Sequence, residues 1–373
     1  MIDPRHETLA ELIMRHCCAV RAGDKVLIEA YDTPVEFLDA LVRAVYARGG
    51  LPLVEIKYNA LLRTLLQGAT EASLALLTDC ERYRMEQVDC FVGVRGWANP
   101  KDLSDLSPEL NAMKNRLWFE PVHIQTRVPR TRWVVLRYPT QTMAYMANMS
   151  TSAFADYYYS VTTGVDYGQM STAMDAAVAF LQGADAVHIS GPGTDLRFSI
   201  KGMGVIKCDG LRNMPDGEIY TCPVRDSVQG VVRYNTPSTY DGFTFKDVCL
   251  RFVDGQIVEA TANDTARLNH ILDTDPGARY IGEFALGCNP RITAPMDETL
   301  FDEKIAGSFH FTPGNAYQDS DNGNRSAVHW DLVCIQTPEA GGGEIRIDGE
   351  LIRRDGVFVH PAFVALNPEN LCC

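Results

Sequence analysis

The segment from Ile281 to Asp331 constrains this chain most, because it sets acidic and imidazole side chains among glycines and small residues. Imidazole and carboxylate groups together are typical ligands of zinc, cobalt or manganese in hydrolytic centres. A fold that uses them must bring segments that are distant in sequence to one place. The candidate residues are Glu283, Glu303, His310, Tyr317, His329 and Asp331, together with the upstream Glu218.

The local sequence predicts how three of these side chains are presented. His329 and Asp331 are two positions apart in the strand-like run AVHWDLVCI, so both point to one face and can reach the same ion. Glu283 opens a short apolar piece bracketed by Gly282 and Gly287, which permit a tight turn or a close backbone approach. This segment is therefore expected to hold the Glu283 carboxylate in one fixed direction.

The remaining candidates also have ordinary structural explanations. His310 and Tyr317 flank a Pro-Gly-Asn turn, which would fold the imidazole and the phenol back towards each other. A lone buried histidine is more often a hydrogen-bonded core residue, and Tyr317 could also be core. Glu303 alone would more often be a solvated charge or a surface ion pair, and Asp331 could cap a turn. Their clustering within about 50 residues favours a functional site.

Length and composition bound the remaining possibilities. The chain has 373 residues, of which 46% are hydrophobic and 22% charged, enough for two domains with separate cores. The net charge is 34 minus 48, or -14, which disfavours nucleic acid and anionic membranes as partners. The polar N-terminus lacks a signal-peptide core, and no apolar run reaches membrane-spanning length, so we expect a cytoplasmic protein.

The eleven cysteines are scattered, apart from two adjacent pairs, and no CxxC motif occurs. An odd number of cysteines in apolar runs, in a chain without an export signal, favours reduced thiols over a disulfide framework.

The two halves of the chain have different patterns. From Thr8 to Thr140 helical and strand-like segments alternate, which predicts an α/β domain with a mostly parallel sheet. No glycine-rich phosphate-binding motif follows its strands, so we expect residues 1–170 to form a cleft wall or subunit contacts. Residues 171–373 are rich in Asp-Gly hairpin turns and short strands, which predicts a β-rich α+β metal-binding and catalytic domain.

Several phrases of the C-terminal half, in series, resemble the metallo-aminopeptidases typified by aminopeptidase T, aminopeptidase S and PepS. They are GPGTDLRF at 191–198, RNMPDGEIYTCP at 212–223, IGEFALG, LFDEKIAGSFH and NRSAVHWD. Several such phrases in one order are more specific than one short motif. The resemblance implies a hydrolase, a metalloprotease that removes N-terminal residues from peptides with a free N-terminus, and a homodimer.

The resemblance also implies a site with two divalent metal ions, zinc, cobalt or manganese. The implied ligands are Glu218, Glu283, His310, His329 and Asp331, with Glu303 as a further ligand and Tyr317 as a further site residue. Two ions would activate a water for hydrolysis, with Glu283, Glu218 and Tyr317 as catalytic residues. Two alternatives stay open: a metal-dependent amidase or hydrolase of another small substrate, and a non-catalytic metal-stabilised binding protein.

Overall fold

The computed structural model describes residues 3–96, 98–99 and 101–372. The chain forms two compact units. The first unit comprises Met1–Thr163 and Gly210–Met214, and the second comprises Gly164–Asp209 and Pro215–Cys373. The division of roles at residue 170 stays a prediction.

The first unit is built on a five-stranded parallel sheet. Its second strand, Lys25–Tyr31, is buried at every position except Lys25, as expected for a strand covered on both faces. The predicted α/β class with a parallel sheet is confirmed. In sheet order the strands are Leu51–Lys57, Lys25–Tyr31, Cys90–Arg95, Arg132–Arg137 and Asn213–Met214.

Helices connect these strands, and two of them are irregular. The first helix is α-helical over Arg5–Leu12 and continues as a π-helix over Ile13–Cys17. A second π-helix, Asn115–Arg127, contains Pro121, and the sequence did not reveal it. The other helices are Val35–Ala47, Asn59–Gln67, Glu71–Glu86, Pro108–Lys114, Val128–Arg130, Gln141–Met146 and Thr151–Thr163.

The second unit contains an eight-stranded antiparallel sheet. Its strands in order are Gln256–Thr261, Cys249–Val253, Gln229–Arg233, Thr194–Ser199, Ala186–Gly191, Glu344–Ile347, Glu350–Arg354 and Val357–Phe358. A two-stranded ribbon is formed by Ser238–Tyr240 and Phe243–Phe245. The helices are Tyr167–Gln182, Thr265–Leu272 and Thr299–Asp302, with 3₁₀ turns at Arg225–Ser227, Pro338–Ala340, Val364–Leu366 and Pro368–Asn370.

A five-stranded antiparallel sheet completes the second unit. In order its strands are Val333–Ile335, Ser308–Pro313, Ile281–Gly287, Glu218–Thr221 and Ile206–Cys208. One face of this sheet packs on the eight-stranded sheet: the ring of Phe198 lies 5.0 Å from those of both Phe284 and Phe311. The predicted β-rich second half is therefore confirmed.

Two further findings concern the chain as a whole. The ten cysteines among the described residues are free. Among the described residues there is no helix of the length and apolar character needed to cross a bilayer.

Candidate metal centre

The five-stranded antiparallel sheet of the second unit presents acidic and imidazole side chains on the face opposite its phenylalanines. Phe284 and Phe311 alternate with Glu283 and His310 along their strands, and alternate residues of a strand point to opposite faces. Strand pairing sets Ala285 opposite His310. Glu218 lies opposite Gly287 on the other neighbouring strand. The Gly287 position needs glycine, because a Cβ there would overlap the carbonyl oxygen of Ile305.

Glu218, Glu283 and His310 form the first group of converging ligand atoms. One ligand atom from each of the three lies within 4.8 Å of the others. His310 Nε2 donates to Glu283 Oε1 at 3.0 Å and lies 3.7 Å from Glu218 Oε2. All three residues are buried, with relative exposures of 5%, 4% and 0%. The group is thus shielded from bulk water.

Glu283, His329 and Asp331 form the second group. Their ligand atoms also lie within 4.8 Å of one another. His329 Nε2 is 3.3 Å from Asp331 Oδ1 and 3.5 Å from Glu283 Oε2. The structure therefore brings the side chains of His329 and Asp331 together, as predicted. The expected strand does not include them, because it begins only at Val333, and His329 forms an isolated bridge with Gly314.

Glu283 belongs to both groups through different oxygens. Its Oε1 faces His310 and its Oε2 faces His329. Glu283 Oε2, Glu218 Oε2 and His310 Nδ1 are buried and have no hydrogen-bond partner. Buried carboxylate oxygens without partners are costly, so their clustering is what a cation site requires. We call Glu218, Glu283, His310, His329 and Asp331 the acid–imidazole cluster.

Neighbouring polar groups hold two of the ligands in place. His329 Nδ1 donates to the carbonyl oxygen of Asn315 at 2.9 Å, which leaves Nε2 directed at the cluster. Thr312 Oγ1 donates to Asp331 Oδ1 at 2.8 Å. Such outer contacts fix the tautomer and orientation of metal ligands.

The electrostatics of the cluster favour a cation. Burial alone would lower the pKa of His310, but the Glu283 hydrogen bond and the Glu218 charge raise it to about 9. Burial likewise opposes protonation of His329, yet Asp331 and Glu283 raise its pKa to about 10. With only protein groups around them, both imidazoles hold protons. A metal ion must displace these protons to bind.

Tyr317 lies at the rim of the cluster. Its phenol ring lies 4.7 Å from the imidazole ring of His329, between centroids, and the approach of the phenol to His310 stays a prediction. The residue as a whole is 46% exposed, but burial of the hydroxyl group and the negative charges of Glu283 and Asp331 raise its pKa, so the hydroxyl group lies near the cluster acids. Gly314 lies in the turn with φ +107°, a backbone conformation that a β-carbon would strain.

Glu303 lies in an ion pair rather than in either group of ligand atoms. Its side chain is 12% exposed and its carboxylate contacts the ammonium of Lys304. A role for Glu303 as a metal ligand stays a prediction.

Lys304 is a site residue that the sequence did not single out. It is fully buried, and its Nζ lies 2.8 Å from Glu218 Oε1 and 3.7 Å from Asp216 Oδ1. A lysine within Asp-Glu-Lys ordinarily suggests a solvated surface turn, and only the tertiary fold reveals three carboxylates around it. The apolar pair before this tripeptide, Leu300-Phe301, was the one available hint of burial.

Comparisons with known proteins agree with a metal-dependent protein. Residues 2–358 match the family model described as "Thermophilic metalloprotease (M29)". Aminopeptidase T of Thermus thermophilus is 29% identical over 393 aligned residues, covering 92% of this chain and 94% of that protein. Aminopeptidase PepS of Streptococcus thermophilus is 25% identical over 405, covering 94% of each. The solved structure of wild-type AmpT from Thermus thermophilus has a TM-score of 0.76 at 25% identity, covering 96% of this chain and 100% of that one.

Proposed function

Because the chain belongs to the M29 family of thermophilic metalloproteases, we propose that it is a two-metal aminopeptidase. It removes N-terminal residues from peptides by hydrolysis. The observation that carries the two-metal part is the position of Glu283, whose two oxygens face two different sets of ligand atoms. The names of the relatives support the aminopeptidase part.

The two groups suggest how two ions are held. Glu218, Glu283 and His310 would bind one ion, and Glu283, His329 and Asp331 would bind the other, with Glu283 as the bridge. The mixture of nitrogen and carboxylate donors suits zinc, cobalt or manganese. Two bound divalent ions supply a water of lowered pKa and polarise the scissile carbonyl group.

The surrounding residues supply the other requirements of peptide hydrolysis. Glu218 and Glu283 border the place where the water would be activated, and whichever of these carboxylates is not fully engaged by the ions would accept its proton. The Tyr317 phenol, whose ring lies 4.7 Å from that of His329, would donate a hydrogen bond to the oxyanion that forms as the carbonyl is attacked. The excess of carboxylates attracts the ammonium group of a free peptide N-terminus.

The first test is reconstitution. Protein stripped with a chelator is assayed on aminoacyl p-nitroanilides after re-addition of zinc, cobalt or manganese, and on the same substrates with the amine acetylated. We expect activity to return with metal and to require the free amine. Equal cleavage of acetylated substrates would instead favour an amidase or a hydrolase of another small substrate, and inactivity of the loaded protein would favour a non-catalytic binding protein.

A matched pair of histidine variants tests the site. His329→Ala should abolish activity, because it removes a ligand of one ion. His188→Ala is the control, since His188 pairs with Asp195 at 2.8 Å on the eight-stranded sheet, outside the cluster. If both variants keep wild-type activity, the assignment of the site is wrong.

The cytoplasmic location, expected from the polar N-terminus, and the homodimer, expected from the family resemblance, stay predictions. Light scattering of the purified chain decides the second: a mass near twice 41.3 kDa is expected.

A further inference from the structure

We propose that Lys304 is a positioning residue that makes the ion bound by Glu218, Glu283 and His310 the weaker and more readily exchanged ion of the pair. This inference rests on the proposed two-metal function and adds an order of occupancy to it. It assigns Lys304 a part in metal binding without making it a ligand.

The geometry around Lys304 is that of a fixed internal cation. Its side chain is fully buried, and its ammonium contacts three carboxylates: Glu218 at 2.8 Å, Asp216 at 3.7 Å, and the adjacent Glu303. Lys304 cannot swing out to water without leaving these acids unpaired in the interior. The positive charge is therefore a permanent part of the site.

Glu218 connects this charge to the metal cluster. Its Oε1 accepts a hydrogen bond from Lys304, whereas its buried Oε2 has no hydrogen-bond partner and lies towards His310. An ion in the first group can therefore use only one oxygen of Glu218. The ion must also bind near the Lys304 ammonium, which is hydrogen-bonded to the other oxygen of the same Glu218 carboxylate.

The second group lacks this neighbour. Among the described residues, Asp331 pairs with His329 and Thr312, and Glu283 pairs with the two cluster histidines; no lysine or arginine forms an ion pair with either acid. The Asn315 carbonyl and the Thr312 hydroxyl also hold His329 and Asp331 in place. The second group is thus preorganised, and in the part of the chain that the structure describes no lysine or arginine ammonium or guanidinium group pairs with its acids.

Two opposing effects of Lys304 must be weighed. Its hydrogen bond orients Glu218, which favours binding, while its charge repels a divalent ion. Coulomb repulsion between a single and a double charge a few ångströms apart in a buried site is larger than the benefit of fixing one side-chain rotamer. The net effect of Lys304 is therefore to weaken the first ion.

Lys304 also explains why a third set of closely spaced ligand atoms need not hold a metal ion. Cys208, Asp216 and Glu218 approach one another within 4.8 Å, as the metal groups do. The Lys304 ammonium already pairs with two of these three residues. It supplies the positive charge there, so we expect no third ion.

The test is calorimetric titration of the stripped full-length protein with Mn²⁺. The wild type should bind two ions with affinities at least about tenfold apart. In Lys304→Met the weaker affinity should rise at least about tenfold and the stronger should change less than about threefold. Lys304→Arg, which keeps the charge, should retain the wild-type separation.

The outcomes separate this inference from the proposed function. Fewer than two ions in the wild type would overturn the two-metal proposal itself. Two ions with a Lys304→Met variant that binds them equally well or more weakly than wild type would overturn only the role of Lys304. If that variant fails to fold, wild-type crystals grown with one equivalent of Mn²⁺ decide. Anomalous scattering on the His329–Asp331 side supports the role, and scattering on the Glu218–His310 side overturns it.

Discussion

Each of the two units buries a cluster of charged side chains. The two clusters differ in whether their buried polar atoms have hydrogen-bond partners. In the first unit, Glu29 and Glu81 have all four carboxylate oxygens bonded, which makes a closed ion-pair network. Lys57 bonds Glu29 at 2.8 Å and Glu81 at 2.7 Å, Arg95 bonds Glu29 at 2.7 Å, and Trp118 Nε1 donates to Glu81 at 2.7 Å. His123 lies close enough to Glu29 and Glu81 for the three to resemble a metal site by residue type.

In the acid–imidazole cluster of the second unit, some buried polar atoms lack a hydrogen-bond partner. Glu218, Glu283 and His310 each retain a buried polar atom without a hydrogen-bond partner. The pKa values of the histidines in the two clusters also differ. Burial lowers the pKa of His123 to about 4, whereas the acids around His310 raise its pKa to about 9. Residue type alone does not distinguish a structural ion-pair network from a ligand site; the balance of charge and the number of unpaired atoms do.

The largest expected effect separates the two clusters by activity. Glu283→Ala removes the proposed bridge, so kcat/KM should fall more than about a thousandfold, and the metal content should fall below two ions per chain. Glu81→Gln, in the ion-pair network, is the matched control and should keep its metal. Elemental analysis and steady-state kinetics measure both. A fully metallated, active Glu283→Ala variant would contradict the comparison.

The next largest effect is a loss of folding stability when the ion-pair network of the first unit is disrupted. Glu29 is 2% exposed and bonds both Lys57 and Arg95, so Glu29→Ala leaves two partly buried cations short of a partner. The free energy of unfolding should fall by about 3–5 kcal/mol. Denaturant unfolding measures this loss. The number of bound ions in the folded protein should not change, and a loss of metal would show that the network is not purely structural.

A smaller effect tests the residues around the ligands. Thr312→Val keeps the shape of the side chain but removes the hydroxyl group that donates to Asp331. Metal affinity should fall about 10- to 100-fold, as is usual when such a partner is lost. Thr244→Val, on the two-stranded ribbon, is a control with no cluster contact. Unchanged affinity in the Thr312 variant would mean that Asp331 needs no orienting partner.

The smallest effect is a pH dependence of opposite sign in the two clusters. The pKa values of His310 and His329 are raised to about 9 and 10, so their contribution to stability is present below pH 6.5 and is lost as pH rises through those values. The pKa of His123 is lowered to about 4, so its contribution is lost as pH falls from 6.5 towards 4.

Thermal unfolding of metal-stripped protein between pH 4 and 10 measures both limbs, as shifts of a few degrees. Added metal should remove the alkaline loss, because it replaces the protons on His310 and His329. His123→Gln should flatten the acid limb only. An alkaline loss that persists unchanged with metal would contradict the placement of an ion at these histidines.

The sequence was informative where local periodicity decides the structure. The alternating pattern of the N-terminal half predicted the parallel sheet. The spacing of His329 and Asp331 predicted that their side chains meet, although the strand expected to hold them begins only at Val333. The convergence of Glu218 on Glu283 could be expected only from family resemblance, because it depends on which strands pair. Lys304 was missed because its burial depends on packing distant in sequence, and the π-helix at Asn115–Arg127 has no simple periodic signature.

The measurement that tests the central claim most directly is an anomalous-difference map from crystals of the protein saturated with Zn²⁺ or Mn²⁺. The account predicts two peaks about 3.5–4 Å apart, one on each side of the Glu283 carboxylate. A single peak there, or a peak between Glu29, Glu81 and His123 in the first unit, would contradict it.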